Sequence, residues 1–295
     1  MISTVCSGVM ATVRRLMVQG VTSGAGKTTL TAALCRHFSA RGTDVIPFKA
    51  QNVSLNSFVT ADGKEMAISQ AYQAWACGIE PSADMNPILI KPKGDGQCQI
   101  VLRGRPWKDL GPGGSTPEMI EALREQVLSA FHDNALGREL VLVEGMGSPV
   151  EMNLKDKDVS NMWLAKATRS PVVLVGDIEK GGVFAGIYGT YLLMDEEERD
   201  LLKGFVVNRF RGDASMLNEG IEELQSRMEM PCLGVLPMVR FSAPAEDSLD
   251  LTRPSGNGYS SGDIRQRWMS ELDGVLEKWE GAWDLDEVRR LVDEV

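Results

Sequence analysis

The chain of 295 residues carries 31 Lys and Arg against 41 Asp and Glu, a formal charge of −10, in an ordinary globular composition of 43% hydrophobic residues. No stretch reaches the roughly 18 uninterrupted apolar residues of a membrane span, and residues 1–10 lack the charged-then-apolar order of a secretory signal. The acidic balance, with no compensating basic run, disfavours nucleic acid, so a cytoplasmic protein with neither a membrane nor a nucleic-acid partner is expected.

The first apolar run, 16–19, leads into Gly20-Val-Thr-Ser-Gly-Ala-Gly26-Lys27-Thr28-Thr29 and then a helical window at 28–40. A glycine-rich turn between strand and helix lets backbone N–H groups converge on phosphate oxygens at a positive helix end. Thr22, Ser23, Gly24, Ala25, Gly26, Lys27, Thr28 and Thr29 are therefore the expected nucleotide cradle, with Lys27 bridging the β and γ phosphates and the Thr28 hydroxyl on Mg²⁺. Further apolar runs follow at 44–48, 139–144, 171–176, 204–207 and 232–236, with helical windows at 116–133 and 214–228. Val, Ile and Leu at consecutive positions read as strands buried on both faces, so the fold class expected is α/β, a mostly parallel sheet with helices on both faces. The run 140–143 delivers Glu144 into the turn Gly145-Met-Gly147, which makes Glu144 the candidate second Mg²⁺ contact. A surface carboxylate after a buried strand is the plainer alternative.

Domain boundaries are expected at 1–251 for the P-loop domain, 252–262 for a turn-rich linker and 263–295 for a helical tail carrying Trp268, Leu272, Val275 and Trp279 near helical spacing. That tail packs on the body or on a partner, which leaves a homodimer open. Cys6, Cys35, Cys77, Cys98 and Cys232 form no metal-ligand spacing and read as buried thiols, while His37 and His132 read as packing or helix-end residues.

Five residues, not four, separate Gly20 from Gly26, and this loop resembles the dethiobiotin synthetase group of P-loop enzymes, which activate carboxylates by phosphorylation. The lysine that the MinD-like group carries early in the loop is replaced by Val21 and Thr22. Larger blocks, namely Lys49-Ala-Gln-Asn-Val-Ser-Leu-Asn56-Ser, Gly63-Lys-Glu65-Met-Ala, Met85-Asn86-Pro, Asp177-Ile-Glu-Lys-Gly181-Gly182, Asn208-Arg-Phe-Arg211 and Glu246-Asp-Ser248, resemble cobyric acid synthase. The resemblance implies ATP- and Mg²⁺-dependent amidation of peripheral carboxylates of adenosylcobyrinic acid a,c-diamide through acyl phosphates. It implies that Thr28, Glu144 and one of Glu65 and Asp62 surround Mg²⁺, and that Lys27, Lys49, Asp156 and Asp158 serve the reaction. It further implies that Asn208 recognises adenine, that Arg211 flanks the base or the phosphates, and that Gln51, Asn52, Ser54, Asn56, Ser57, Asp177, Gly181 and Gly182 face the corrinoid. An ordinary capped turn at 51–57, a solvated charge run at 151–158 and a helix-capping Asp177 are the competing readings.

Two positions depart from the family pattern, Lys64 before Glu65 and Met146 after Gly145. Family members also carry a glutaminase with a Cys–His–Glu triad. No cysteine here sits in a nucleophile elbow and no histidine follows His132, so a built-in glutaminase is not expected and nitrogen comes from ammonia or a separate glutaminase chain. The alternatives are a ligase for another tetrapyrrole or polycarboxylate, and a nucleotide-binding regulatory subunit.

Overall fold

The computed structural model describes residues 13–242 and 261–294, with side chains from 264 in the second segment. Its centre is a six-stranded, wholly parallel sheet in the order β12-β11-β10-β1-β9-β2, formed by β1 (Arg14–Gly20), β2 (Val45–Phe48), β9 (Leu140–Glu144), β10 (Val172–Asp177), β11 (Leu202–Phe210) and β12 (Cys232–Pro237). Successive side chains of a strand point to opposite faces, and here both faces are apolar. Leu16, Val18, Leu140, Leu142, Val173 and Val175 enter one core, while Met17, Val141, Val143, Val172 and Leu174 enter the other. That two-sided burial explains why the strands read as continuous Val/Leu runs.

The first core is closed by α1 (Lys27–Ser39), α2 (Ile68–Ala76), α8 (Ser261–Trp279) and α9 (Leu285–Asp293). The second is closed by α3 (Pro117–Ala135), α4 (Met162–Thr168), α5 (Val183–Leu193) and α7 (Asn218–Met228), with α6 (Glu196–Leu201) before β11. The starts of α3 and α6 follow from local chemistry: Thr116 accepts from the Met119 N–H, and Asp195 forms a reciprocal capping box with Glu198.

The tail packs on the body of its own chain. Leu272, Val275, Trp279, Trp283, Val288, Leu291 and Val292 are buried in the same core as α1, and Arg36 on α1 grips Asp273 through two hydrogen bonds of 2.8 and 2.9 Å. The Val235 N–H donates to Ala282 O at 3.1 Å, so the turn between α8 and α9 covers the outer edge of β12. Residues 261 and 262, expected in the linker, already belong to α8; the rest of that linker and Glu246-Asp-Ser248 lie outside the described residues.

Between β2 and α3 the structure departs from the expected pattern. There lies a second sheet of β3 (Gln51–Val53), β6 (Ile88–Gly94), β7 (Gln97–Leu102) and β8 (Arg105–Leu110), beside a hairpin of β4 (Ser57–Val59) and β5 (Glu65–Ala67), none of which the apolar runs of the sequence announce. Asp95-Gly96 and Arg103-Gly104 are two-residue hairpin turns with φ of 50°, 70°, 46° and 80°, the doubly left-handed turn that matches strand twist. Asp95-Gly96 was the available signal, but β8 is largely exposed and lacks the apolar alternation that marks a half-buried strand.

Candidate functional site: a nucleotide pocket at the carboxyl edge of the sheet

Strands β1, β9 and β2 are neighbours, and all end at the same edge, where ligands bind in open parallel sheets. From β1 the chain turns through 20–26 into α1, whose N-cap Gly26 has φ 99° and leaves the first turn without a side-chain cap or an acidic residue. Its first N–H groups and positive dipole end remain available to an anion. A Cβ on Gly26 would lie 2.1 Å from Asn208 Nδ2, so both the backbone angle and the close approach require glycine. Thr22 and Ser23 form the exposed tip, Gly24 has φ 69°, Ala25 is buried and Thr29 is half-buried.

Lys27 is fully buried, and its Nζ donates to Thr22 O and Gly147 O, each at 3.2 Å. Gly147 lies in the turn after β9, and Asn161 clamps that turn by accepting from the Met146 N–H at 2.8 Å and donating to Met146 O and Ser148 O. At the end of β9, Glu144 is fully buried and engaged on both oxygens. Oε1 accepts from Thr28 Oγ1 at 2.8 Å and from Lys49 Nζ at 2.6 Å, and Oε2 accepts from Gln73 Nε2. Lys49 directly follows β2 and is itself buried. Two buried lysines and one buried carboxylate thus meet at a helix N-terminus, an excess of positive charge suited to phosphate. Thr28 and Glu144 are hard oxygen donors of the kind Mg²⁺ takes.

The CobQ/CobB/MinD/ParA nucleotide binding domain family matches residues 16–249. The chain belongs to that family. It is 48% identical over 236 residues to a probable cobyric acid synthase of Thermococcus kodakarensis, covering 80% of this chain and 49% of the relative. It is 46% identical over 238 residues to the cobyric acid synthase of Nostoc sp., covering 81% and 48%, and 44% identical over 247 residues to that of Listeria innocua, covering 84% and 48%. The chain therefore spans about half the length of these curated relatives. Among solved structures, the signal recognition particle receptor FtsY from Elizabethkingia anophelis aligns with a TM-score of 0.43 at 13% identity, over 90% of this chain and 70% of that one.

Within this nucleotide-binding domain, several residues expected at the site hold other positions. Glu65 is ion-paired with Lys91 rather than with the Thr28–Glu144 pair: burial pushes its carboxyl up, but hydrogen bonds from Lys91 and Ser57 outweigh that and leave it below its ordinary value. Asp62 pairs with Lys64 at 2.8 Å and accepts from Thr60. Asp158, expected at the reaction, is a capping carboxylate that accepts from the N–H groups of Ser160, Asn161 and Trp163 at 2.8–2.9 Å ahead of α4. Asp156 is exposed on the 3₁₀ turn Met152–Lys157, as the solvated charge run reads.

Asp177 accepts from the Glu179 N–H at 2.9 Å and from Arg209 Nη1 at 2.8 Å, which makes it a turn-closing ion pair rather than a free substrate contact. Gly181 and Gly182 follow with φ of 77° and 71°, the second serving as the cap of α5. Asn208 braces the cradle, donating to Ala25 O at 2.9 Å and accepting from the Arg209 N–H. Arg211 is exposed and paired with Glu179. Ser54 closes a short turn by accepting from the Asn56 N–H at 3.0 Å, Asn56 and Ser57 are exposed, and Gln51 donates to Met146 Sδ at 3.3 Å. Asn52 turns inward, donating to Ser69 Oγ at 2.9 Å and Gln70 Oε1 at 3.3 Å. Sequence reasoning missed Gln73; its only signal was a pair of amides three residues apart, Gln70 and Gln73, within the apolar helix α2.

Proposed function

We propose that this chain is an ATP-dependent amidating ligase acting on corrinoid carboxylates, of the type catalysed by cobyric acid synthase. The observation that carries the reading is the buried Lys27, Thr28, Lys49 and Glu144 constellation at the carboxyl edge of the sheet, in a chain 44–48% identical to three synthases. A carboxylate resists amidation because its oxygen leaves poorly, and phosphorylation supplies a good leaving group. A substrate carboxylate oxygen attacks the γ-phosphorus of ATP, ADP departs, and an acyl phosphate forms. Ammonia then adds to the carbonyl carbon, loses a proton and expels phosphate, leaving the amide.

Lys27 and the opening N–H groups of α1 bind the β and γ phosphates and offset the charge of the transferring group. Thr28 and Glu144 would hold Mg²⁺, which would supply positive charge against the phosphates. Lys49, ion-paired with Glu144, draws the substrate carboxylate toward the phosphate. Ammonia supplies the nitrogen, whether from solution or from a glutaminase.

Phosphate release from ATP with Mg²⁺ and adenosylcobyrinic acid a,c-diamide tests this, with ammonium, glutamine or neither added and the corrinoid weighed by mass spectrometry. Ammonium-supported turnover with hydroxyl exchanged for amino is expected. Absence of corrinoid-dependent turnover with every nitrogen source removes the reading, and turnover with a different polycarboxylate moves the substrate.

A further inference from the structure

Glu144 receives one hydrogen bond that the proposed chemistry does not use. Gln73 reaches it from α2, 71 residues away in sequence, and the same Nε2 lies 3.4 Å from the carbonyl oxygen of Thr28. A single amide thereby touches both residues assigned to Mg²⁺. Behind Gln73 runs a chain of side chains, all buried: Gln70 Nε2 donates to Gln73 Oε1 at 2.8 Å, Ser69 Oγ donates to Gln70 Oε1 at 3.0 Å, and Asn52 Nδ2 donates to both Ser69 and Gln70.

The chain has a direction. An amide presents an acceptor at one end and donors at the other. Because Asn52 and Ser69 donate to the oxygen of Gln70, Gln70 turns its NH₂ toward Gln73, whose oxygen accepts it; the NH₂ of Gln73 is then fixed toward Glu144. Reversing any amide would set oxygen against oxygen in a dry interior, where an unmatched polar contact is costly. Four polar side chains buried in an otherwise apolar helix and its neighbouring strand are explained by this one task.

We propose that Gln73 is the positioning residue of the Glu144 carboxylate, held in its donating orientation by Gln70, Ser69 and Asn52, and that it sets the Mg²⁺ affinity of the nucleotide site. Asn52 is then an anchor of the site rather than a corrinoid contact. This rests on Glu144 as the metal carboxylate. Residues that orient a metal ligand in this way change metal affinity by about 10- to 100-fold when removed.

The test titrates Mg²⁺ into the full chain with a fluorescent N-methylanthraniloyl ATP, for the parent and for Gln73→Met, a substitution that keeps length and loses both donors. Melting temperature is read alongside. The expected result is Mg²⁺ affinity weakened by about 10-fold or more, with metal-free nucleotide affinity unchanged and turnover recovering at high Mg²⁺. A folded Gln73→Met with parental Mg²⁺ affinity overturns the proposal, since a merely structural role would lower the melting temperature alone. Should Gln73→Met fail to fold, Gln70→Met, which removes only the orienting link, is read the same way: a smaller loss of the same sign supports the proposal and no loss overturns it. A parent protein whose nucleotide binding ignores Mg²⁺ removes the metal reading itself, an outcome distinct from parental behaviour in the variant.

Discussion

Lys49 and Glu144 form an ion pair of 2.6 Å whose side chains are 1% and 0% exposed, and removing the cation alone is the sharpest perturbation of the site. At an effective dielectric near 20, two unit charges at that distance attract by roughly 6 kcal/mol. The cost of desolvating both offsets much of this, so the intact pair adds little net stability, whereas breaking it leaves an uncompensated buried carboxylate at about 3–5 kcal/mol. Lys49→Met leaves an apolar side chain one atom shorter and removes the charge together with its hydrogen bond to Glu144. Against the roughly 5–15 kcal/mol available to a domain, the expected loss is about a fifth of the total or more. Glu144→Gln in the same background removes the stranded charge and should recover most of that loss, although neither variant should turn over. Urea unfolding of parent, both single variants and the double variant yields the coupling directly. A Lys49→Met penalty below about 1 kcal/mol, or no recovery in the double variant, would show that the pair is not the buried, mutually dependent unit described here.

Asp158→Asn should keep turnover close to the parent, because the asparagine oxygen still accepts from the N–H groups of Ser160 and Asn161 and only the bond from Trp163 is lost, whereas Asp158→Ala should cost about 1–2 kcal/mol in denaturant; abolished activity in the asparagine variant would return Asp158 to the reaction. Burial first, and then Arg41 and Arg289, lower the His37 pKa to about 4. The unfolded chain, with an ordinary histidine near about 6.5, binds more protons than the folded one between these values, so the His37 contribution is complete above that window and declines as pH falls through it. Urea midpoints of the parent and His37→Gln compared at neutral and mildly acidic pH should converge on acidification, and parallel curves would refute the assignment.

The parts of the site legible in the sequence are those whose chemistry is local. A strand, a glycine turn and Lys27-Thr28 occupy one short stretch, and backbone geometry there leaves few alternatives. Glu144 was legible because it ends a buried run and parallel strands deliver their ends to one edge, whereas Lys49 was marked by the family resemblance. Asp158 carried a local signal as well, a carboxylate just ahead of the helix that begins at Met162.

What the sequence could not express was pairing across distance. Whether Glu65 met Mg²⁺ or Lys91 depended on how β5 and β6 sit together, and the second sheet containing β6 had no apolar alternation along β8 to announce it. Whether the tail covered its own chain or a partner was decided by the reach of Trp279 and Trp283 into the core beside α1, which composition leaves open. The sequence by itself determined a parallel α/β fold with a phosphate cradle, because hydrophobic periodicity and backbone freedom are properties of neighbouring residues. Only the tertiary structure decided which acceptor each buried donor would meet. Asn52, Gln70 and Gln73 are ordinary amides until packing removes water and leaves Glu144 as the terminus of their hydrogen bonds.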